Sequence, residues 1–322
     1  MKKIIYITPH LSTGGCPKYL QLKVEYFTNE YKIWVVEWSD ITGGVFVVQK
    51  EKIREIIGQK LITLGENKEE ILSTISDIEP DYIHFEEIAE DFISYSLLKK
   101  IWSPNRNYKI LETTHSSFTS ISNKSFLPDR WVFPSEFSVE KFSFNSGPEC
   151  VVWEAPIFNK NNINKSLARE KLGMNLNFIH VLHVGLFTPG KNQQEIFEIA
   201  KKFIGMNIQF HFVGNLADNF KPYWQDLVSK TPGNCRIWGE RNDVDLFYEA
   251  CDLFYFPSTY ELNPLSVKEA LSWKLPTFLR RLHTYQGKYD TCNLVTYIDE
   301  NIEENYKKLL QKIISIKNES VL

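Results

Sequence analysis

Residues 256–271 read Phe256-Pro257-Ser258-Thr259-Tyr260-Glu261-Leu262-Asn263-Pro264-Leu265-Ser266-Val267-Lys268-Glu269-Ala270-Leu271. The apolar residues 253–256 just before Pro257 are short and aromatic, the pattern of a buried strand. Asn263 suits an N-cap. Pro264 suits the first helical position, where an amide hydrogen is not needed. Strand, polar turn and helix together are the repeating unit of a parallel α/β sheet.

That unit places Glu261 in the turn and Glu269 on the second helical turn. Unsatisfied amides at a helix start suit phosphate, and carboxylates beside them accept hydrogen bonds from hydroxyls. A sugar and a ribose joined by a diphosphate present those groups in that order. A capped surface helix with two solvated glutamates is the plainer reading of the spacing alone.

Working outward, the same rhythm recurs. Residues 178–184, 208–213 and 235–238 read as strands, and 193–203, 244–250, 264–273 and 302–316 as helices. Upstream, 4–8, 32–38, 81–85, 108–113, 130–133 and 150–153 read as strands, with a helix over 19–27 and another ending at Ile101. Residues 159–166 are polar, lack periodicity and read as a linker. The expectation is an α/β chain of two Rossmann-like parallel-sheet domains, 1–158 and 166–300. A helix over 301–322 is a candidate to cross back onto the first. Open parallel sheets bind ligands outside their strand C-termini, so the two domains are expected to face one cleft.

The 322 residues carry 37 Lys+Arg and 40 Asp+Glu, a net charge of −3. Residues 1–160 hold 18 basic and 22 acidic side chains, the remainder 19 and 18. Neither half is a basic nucleic-acid clamp or a polybasic membrane patch. Five cysteines, at 16, 150, 235, 251 and 292, include no Cys-x-x-Cys pair. That predicts neither disulfides nor a zinc site, and a reducing, cytoplasmic compartment. No apolar run approaches the ~18 residues of a membrane span. The run at 4–8 is too short for a signal-peptide core.

The set Val184-Gly185 with Lys191, Phe212-Val213-Gly214, Cys251-Asp252-Leu253 with Pro257-Ser258, and Glu261 with Glu269-Ala270 resembles glycosyltransferase family 4 over about 177–280. Gly14-Gly15, Asp81-Tyr82-Ile83-His84, Thr113-Thr114-His115 and Pro134-Ser135-Glu136 are similar more loosely. The resemblance implies the GT-B fold and a retaining, metal-independent hexosyltransferase. Its donor would be a nucleoside-diphosphate sugar, GDP-mannose or UDP-glucose in type. Its acceptor would be a glycan, a lipid-linked sugar or a protein glycan. By position, Glu261 holds the sugar hydroxyls, Glu269 the ribose hydroxyls, and Lys191 the diphosphate. His115 contacts the sugar and Gly15 admits the diphosphate. Gly185 lets backbone approach it, and the backbone of Asn263, Pro264 and Leu265 binds it. The base pocket falls near Gly239, Glu240 and Arg241. Glu261, His115 and Lys191 form the catalytic set. No cofactor, metal or nucleic acid is implied. A peripheral membrane contact stays open, and the chain is expected to be a monomer or weak oligomer.

Three departures stand out. Leu186 replaces an arginine, and Arg280, Arg281 or Lys18 are candidates to supply the missing cation. Leu262-Asn263-Pro264 replaces Gly-Phe-Gly, and Pro264 has no amide hydrogen to donate. Lys274 replaces a small residue. Asp243-Val244-Asp245 has the Asp-x-Asp spacing of metal sites in another transferase class, but at a helix start it reads as capping. His183 and His211 lie in strands and read as core. Two alternatives remain open: a GT-B protein that binds a partner or glycan without catalysis, and a nucleotide-sugar epimerase. The donor's base and sugar, the acceptor and the linkage are not written in the sequence.

Overall fold

The structure is a computed structural model, and it describes all residues except 13, 42, 116–123, 143–146, 159–163 and 320–322. The chain forms two compact units, Met1–Pro156 and Ile157–Leu322. The first contains strands β1 (Lys3–Thr8), β2 (Lys32–Glu37), β3 (Leu61–Thr63), β4 (Tyr82–Phe85), β5 (Lys109–Glu112), β6 (Arg130–Phe133) and β7 (Glu149–Val152). The second contains β8 (Ile179–Val184), β9 (Ile208–Val213), β10 (Cys235–Gly239), β11 (Leu253–Phe256), β12 (Thr277–Arg280) and β13 (Val295–Ile298).

The orders are β3-β2-β1-β4-β5-β6-β7 and β10-β9-β8-β11-β12-β13. Every pairing is parallel. Both are the Rossmann order, in which the strand direction of travel reverses beside the first strand and opens a crevice there. The crevices lie between β1 and β4 in one unit and between β8 and β11 in the other.

Alternation explains why each sheet is buried on both faces. Ile4 and Tyr6 of β1 enter one core, Ile5 and Ile7 the other. Leu253 and Tyr255 of β11 face one core, Phe254 and Phe256 the opposite one.

The structure adds elements that periodicity missed. These include β3, β12 and β13, of three or four residues each. Helices Val48–Ile57, Glu70–Ile78, Glu136–Phe142, Lys165–Leu172 and Lys221–Ser229 are likewise additional. The Lys165–Leu172 helix corrects the end of the expected linker. Asn164 accepts the Ser166 amide at 2.8 Å as its N-cap, and Gly173, at φ 61°, ends it. Residues 159–163 of that linker lie outside the described residues. The helix Ile302–Glu319 belongs to the second unit, with Leu309 and Ile313 in its core. Among the described residues, no helix is long and apolar enough to cross a membrane.

Candidate functional site

In the second unit, two loops leave the switch point and are tied to each other. After β8 the chain makes a tight turn, Pro189–Lys191, whose Lys191 amide donates to the Thr188 hydroxyl at 3.3 Å. After β11, the Thr259 amide and the Ser258 hydroxyl both reach Gly190 O, at 2.8 and 2.9 Å. Ser258 Oγ also lies 2.6 Å from Glu261 Oε1. Lys191 Nζ is ion-paired with that same carboxylate, and sits 5.0 Å from the Phe256 ring centre. Thr284 Oγ1 donates to the Glu261 carbonyl. Glu261 and Lys191, seventy residues apart in the chain, are thus one charged pair at the strand ends. Ser258 is fully buried and fastens both loops. Sequence spacing does not single Ser258 out, because Gly190 O reaches it only in the fold.

The next helix is Leu265–Ser272 with Pro264 as its N-cap, one residue later than expected. Pro264 adopts ψ 107°, an extended conformation that lies outside the helix. The Leu265 and Ser266 amides precede the first helical bond, Val267 N to Pro264 O at 3.2 Å. They keep the donor character of a helix start although Pro264 has lost its own. The Asn263 side chain accepts from Lys288 Nζ at 3.4 Å. Glu269 is held by the hydroxyl of buried Tyr248 at 2.9 Å.

Gly185 directly follows β8, the first strand of the unit. A Cβ there would meet Lys191 Cδ at 3.5 Å, an ordinary contact. The close approach belongs to Gly214, at φ 148°, where a Cβ would stand 2.0 Å from Gly185 O. Gly239, at φ 70°, accepts the Gly214 amide at 2.9 Å. Glu240 and Arg241 follow it. Arg241 places Nε and Nη2 on Asp243 at 2.8 and 2.7 Å. Asp243 therefore serves Arg241, and its side chain makes no helix-cap bond.

Arg280 is not a spare cation. It is buried, ion-paired with Glu195, and donates to Pro257 O at 3.0 Å. Glu195 also accepts from Tyr255 and Asn305 at 3.0 and 3.1 Å. Arg281 stacks 3.9 Å over Tyr297 and lies 3.8 Å from Asp290. Lys18 lies in the other unit, on the helix Gly15–Phe27.

His180, His183 and His211 are buried within this unit. His211 Nε2 stands 2.8 Å from His180 Nδ1, while its Nδ1 accepts from Trp238 at 3.1 Å. Burial pushes His211 down to about 3 and His183 to about 4.

In the first unit the helix Gly15–Phe27 starts at the β1 end, with Gly14 before it at φ 126°. A Cβ at Gly15 would meet nothing within 4 Å. The helix carries a fully buried lysine, Lys23, which sequence reading missed. Its Nζ lies 2.6 Å from Glu86 Oε1, 3.3 Å from Thr113 Oγ1 and 4.7 Å from the Tyr19 ring. Burial lowers Lys23, and the Glu86 charge opposes that. Burial alone would raise Glu86; Lys23, His84 and His115 together hold it below the usual carboxylate range. His115, after β5, has Nε2 3.6 Å from Glu86 Oε2 and its ring edge-on to Tyr19. A lysine within the apolar 19–27 pattern gives no hint that a carboxylate 63 residues on will neutralise it.

Residues 164–315 match the family model for glycosyl transferases group 1. A UDP-Gal:alpha-D-GlcNAc-diphosphoundecaprenol alpha-1,3-galactosyltransferase of Escherichia coli is 30% identical over 159 residues, 47% of this chain and 36% of that protein. The capsular polysaccharide biosynthesis glycosyltransferase CapH of Staphylococcus aureus is 29% identical over 118 residues, 35% of this chain and 31% of that protein. The chain thus spans about a third of each of these curated relatives. Among solved structures, Anabaena HepE in complex with UDP-glucose superposes with TM-score 0.76 at 16% identity, covering 98% of this chain and 91% of that one. A Rickettsia africae glycosyltransferase gives TM-score 0.72 at 18% identity, covering 98% and 88%. These likenesses extend over both units and establish the fold as that of GT-B glycosyltransferases.

Proposed function

We propose that the chain is a retaining glycosyltransferase that moves a hexose from a nucleoside-diphosphate sugar to a glycan, lipid-linked or protein-linked acceptor. The Lys191–Glu261 pair, set beside the Leu265 helix start in the family-matched half, carries this reading. Lys191 and the Leu265 and Ser266 amides would meet the diphosphate as negative charge develops on it. Fixed donors of that kind stabilise a departing anion without reorganisation. Glu261, released from Lys191 by the phosphate, would accept hydrogen bonds from the sugar. Glu269, oriented by Tyr248, would accept from the ribose. No metal is needed in this scheme, because a lysine and oriented amides do the neutralising.

The names of the relatives support the class of donor: one is a UDP-galactose enzyme, and HepE binds UDP-glucose. Mannose or glucose remains the expected sugar, and a cytoplasmic location the expected compartment. The deciding experiment is calorimetry with UDP-glucose, UDP-galactose and GDP-mannose, followed by product analysis in excess chelator. Binding of one of them, and transfer with retained anomeric configuration, is expected. No binding to any would favour the non-catalytic binder. A free, altered nucleotide sugar made without acceptor would favour an epimerase.

A further inference from the structure

The switch point of the first unit gathers a second set of groups, of which the sugar reading uses only His115. Cys16 opens the second position of the Gly15–Phe27 helix, Glu87 follows β4 and His115 follows β5. One ligand atom from each, a sulfur, a carboxylate oxygen and a ring nitrogen, lies within 4.8 Å of the others. Cys16 Sγ is 3.5 Å from Glu87 Oε1. Around a tetrahedral zinc ion the sulfur–oxygen edge is about 3.6 Å, from bond lengths near 2.3 and 2.1 Å. The Glu87 carboxylate is already turned toward both partners, since its Oε2 accepts the His115 amide at 3.4 Å.

A second, independent observation points into the same place. Glu86 Oε2 is buried and has no hydrogen-bond partner among the described residues, and neither has His115 Nε2. The two are 3.6 Å apart, against about 3.4 Å for a nitrogen–oxygen edge of such an ion. A buried carboxylate at an imidazole either orients a metal-bound ring or takes a coordination position itself. Two unsatisfied buried atoms are costly unless something polar joins them.

We propose that Cys16, Glu87 and His115 form a binding site for a late first-row divalent cation, zinc in particular. The charge balances. Cys16 releases its proton to solvent and bonds through sulfur, so thiolate and Glu87 carboxylate together offset the dication. The Glu86 charge is already matched by Lys23 at 2.6 Å. Sulfur and imidazole select zinc or cobalt over magnesium and calcium, which take oxygen ligands. The site does not depend on the transferase reading, but bears on it: an ion here occupies His115. Zinc then inhibits transfer, and chelator relieves it.

The test uses the whole chain, stripped by chelator and titrated with Co2+. One equivalent is expected to bind with a thiolate-to-cobalt absorption band, which Zn2+ then removes. Cys16→Ser should abolish the band, while Cys150→Ser and Cys292→Ser, at other half-buried thiols, should keep it. Glu87→Gln should weaken Zn2+ binding by about tenfold or more, as even outer carboxylates at zinc sites are worth that much. Survival of the band in Cys16→Ser, unchanged affinity in Glu87→Gln, or absence of a one-to-one phase overturns the site. Should Cys16→Ser lower the metal-free melting midpoint, the Glu87→Gln affinity decides. All of these readouts are spectroscopic or calorimetric, so a chain without transferase activity still tests the site.

Discussion

The Lys191 ammonium is paired with the Glu261 carboxylate across loops that end two different strands, β8 and β11. The two groups therefore act as a unit. Under the proposed reaction, Lys191→Ala is expected to lower kcat by about 10²-fold or more, the scale for removing one preorganised donor. Glu261→Ala should also act mainly on kcat. The double variant should lose less than the product of the two, because contacting residues couple. Initial-rate kinetics on the three variants check this, and strictly multiplicative losses would contradict the coupling.

Glu269→Ala should instead weaken nucleotide-sugar binding, raising KM more than it lowers kcat. Tyr248→Phe removes only the hydroxyl that holds Glu269 at 2.9 Å. Its effect should be smaller, on the order of one hydrogen bond or about 0.5–1.5 kcal/mol. Calorimetric affinities of the two variants rank the effects; a larger loss in Tyr248→Phe would break the assignment.

Gly214→Ala places a methyl 2.0 Å from Gly185 O, where only backbone can yield. The expected cost is about 1–3 kcal/mol or more of stability, as for overpacked cores. Gly185→Ala meets only ordinary contacts and should cost much less. Urea midpoints of the pair test the contrast, and equal midpoints would refute it.

Arg280→Met leaves Glu195 charged and buried without its ion partner. Breaking such a pair costs about 3–5 kcal/mol, because the remaining charge stays desolvated. Arg281→Met, at an exposed position, should be nearly neutral in stability. Comparing their denaturation midpoints separates a structural arginine from a surface one.

Acid should weaken the second unit before its carboxylates titrate. His183 and His211 are pushed down to about 4 and about 3, and His180 is lowered too, all by burial first. The unfolded chain takes up protons near the ordinary 6.5, so on acidification it binds more protons than the fold. Stability is then complete above about pH 6.5 and falls as pH drops toward 4 and 3. Each unit of separation is worth about 1.4 kcal/mol. Urea midpoints at pH 7, 6 and 5 should fall steadily, and a flat profile would show that the histidines are accessible in the fold.

Much of the architecture was legible along the chain because it is local. The aromatic run of β11, stopped by Pro257, and the Gln193–Lys201 and Val244–Ala250 helices carry their own periodicity. β12 was not legible, since its Arg280 is buried only because Glu195 meets it from another element. The helix at Lys165 hid in a polar stretch because its stability comes from the Asn164 cap and from packing of Ala168 and Leu172, not from a wide apolar face.

The sequence by itself determined the two β/α successions, the turn that carries Glu261, and the helix that carries Glu269. Periodicity and capping act over a few residues, so they can be read in a line. The tertiary structure alone decided which charges meet. It joined Lys191 to Glu261, committed Arg280 to Glu195, and neutralised a buried Lys23 with Glu86. It also brought Cys16, Glu87 and His115 within 4.8 Å although the spacing of the cysteines predicted no metal site. Such pairings form where strand C-termini converge at a switch point, between residues tens of positions apart. Electrostatic attraction in a desolvated crevice depends on distance in space, which no local pattern encodes.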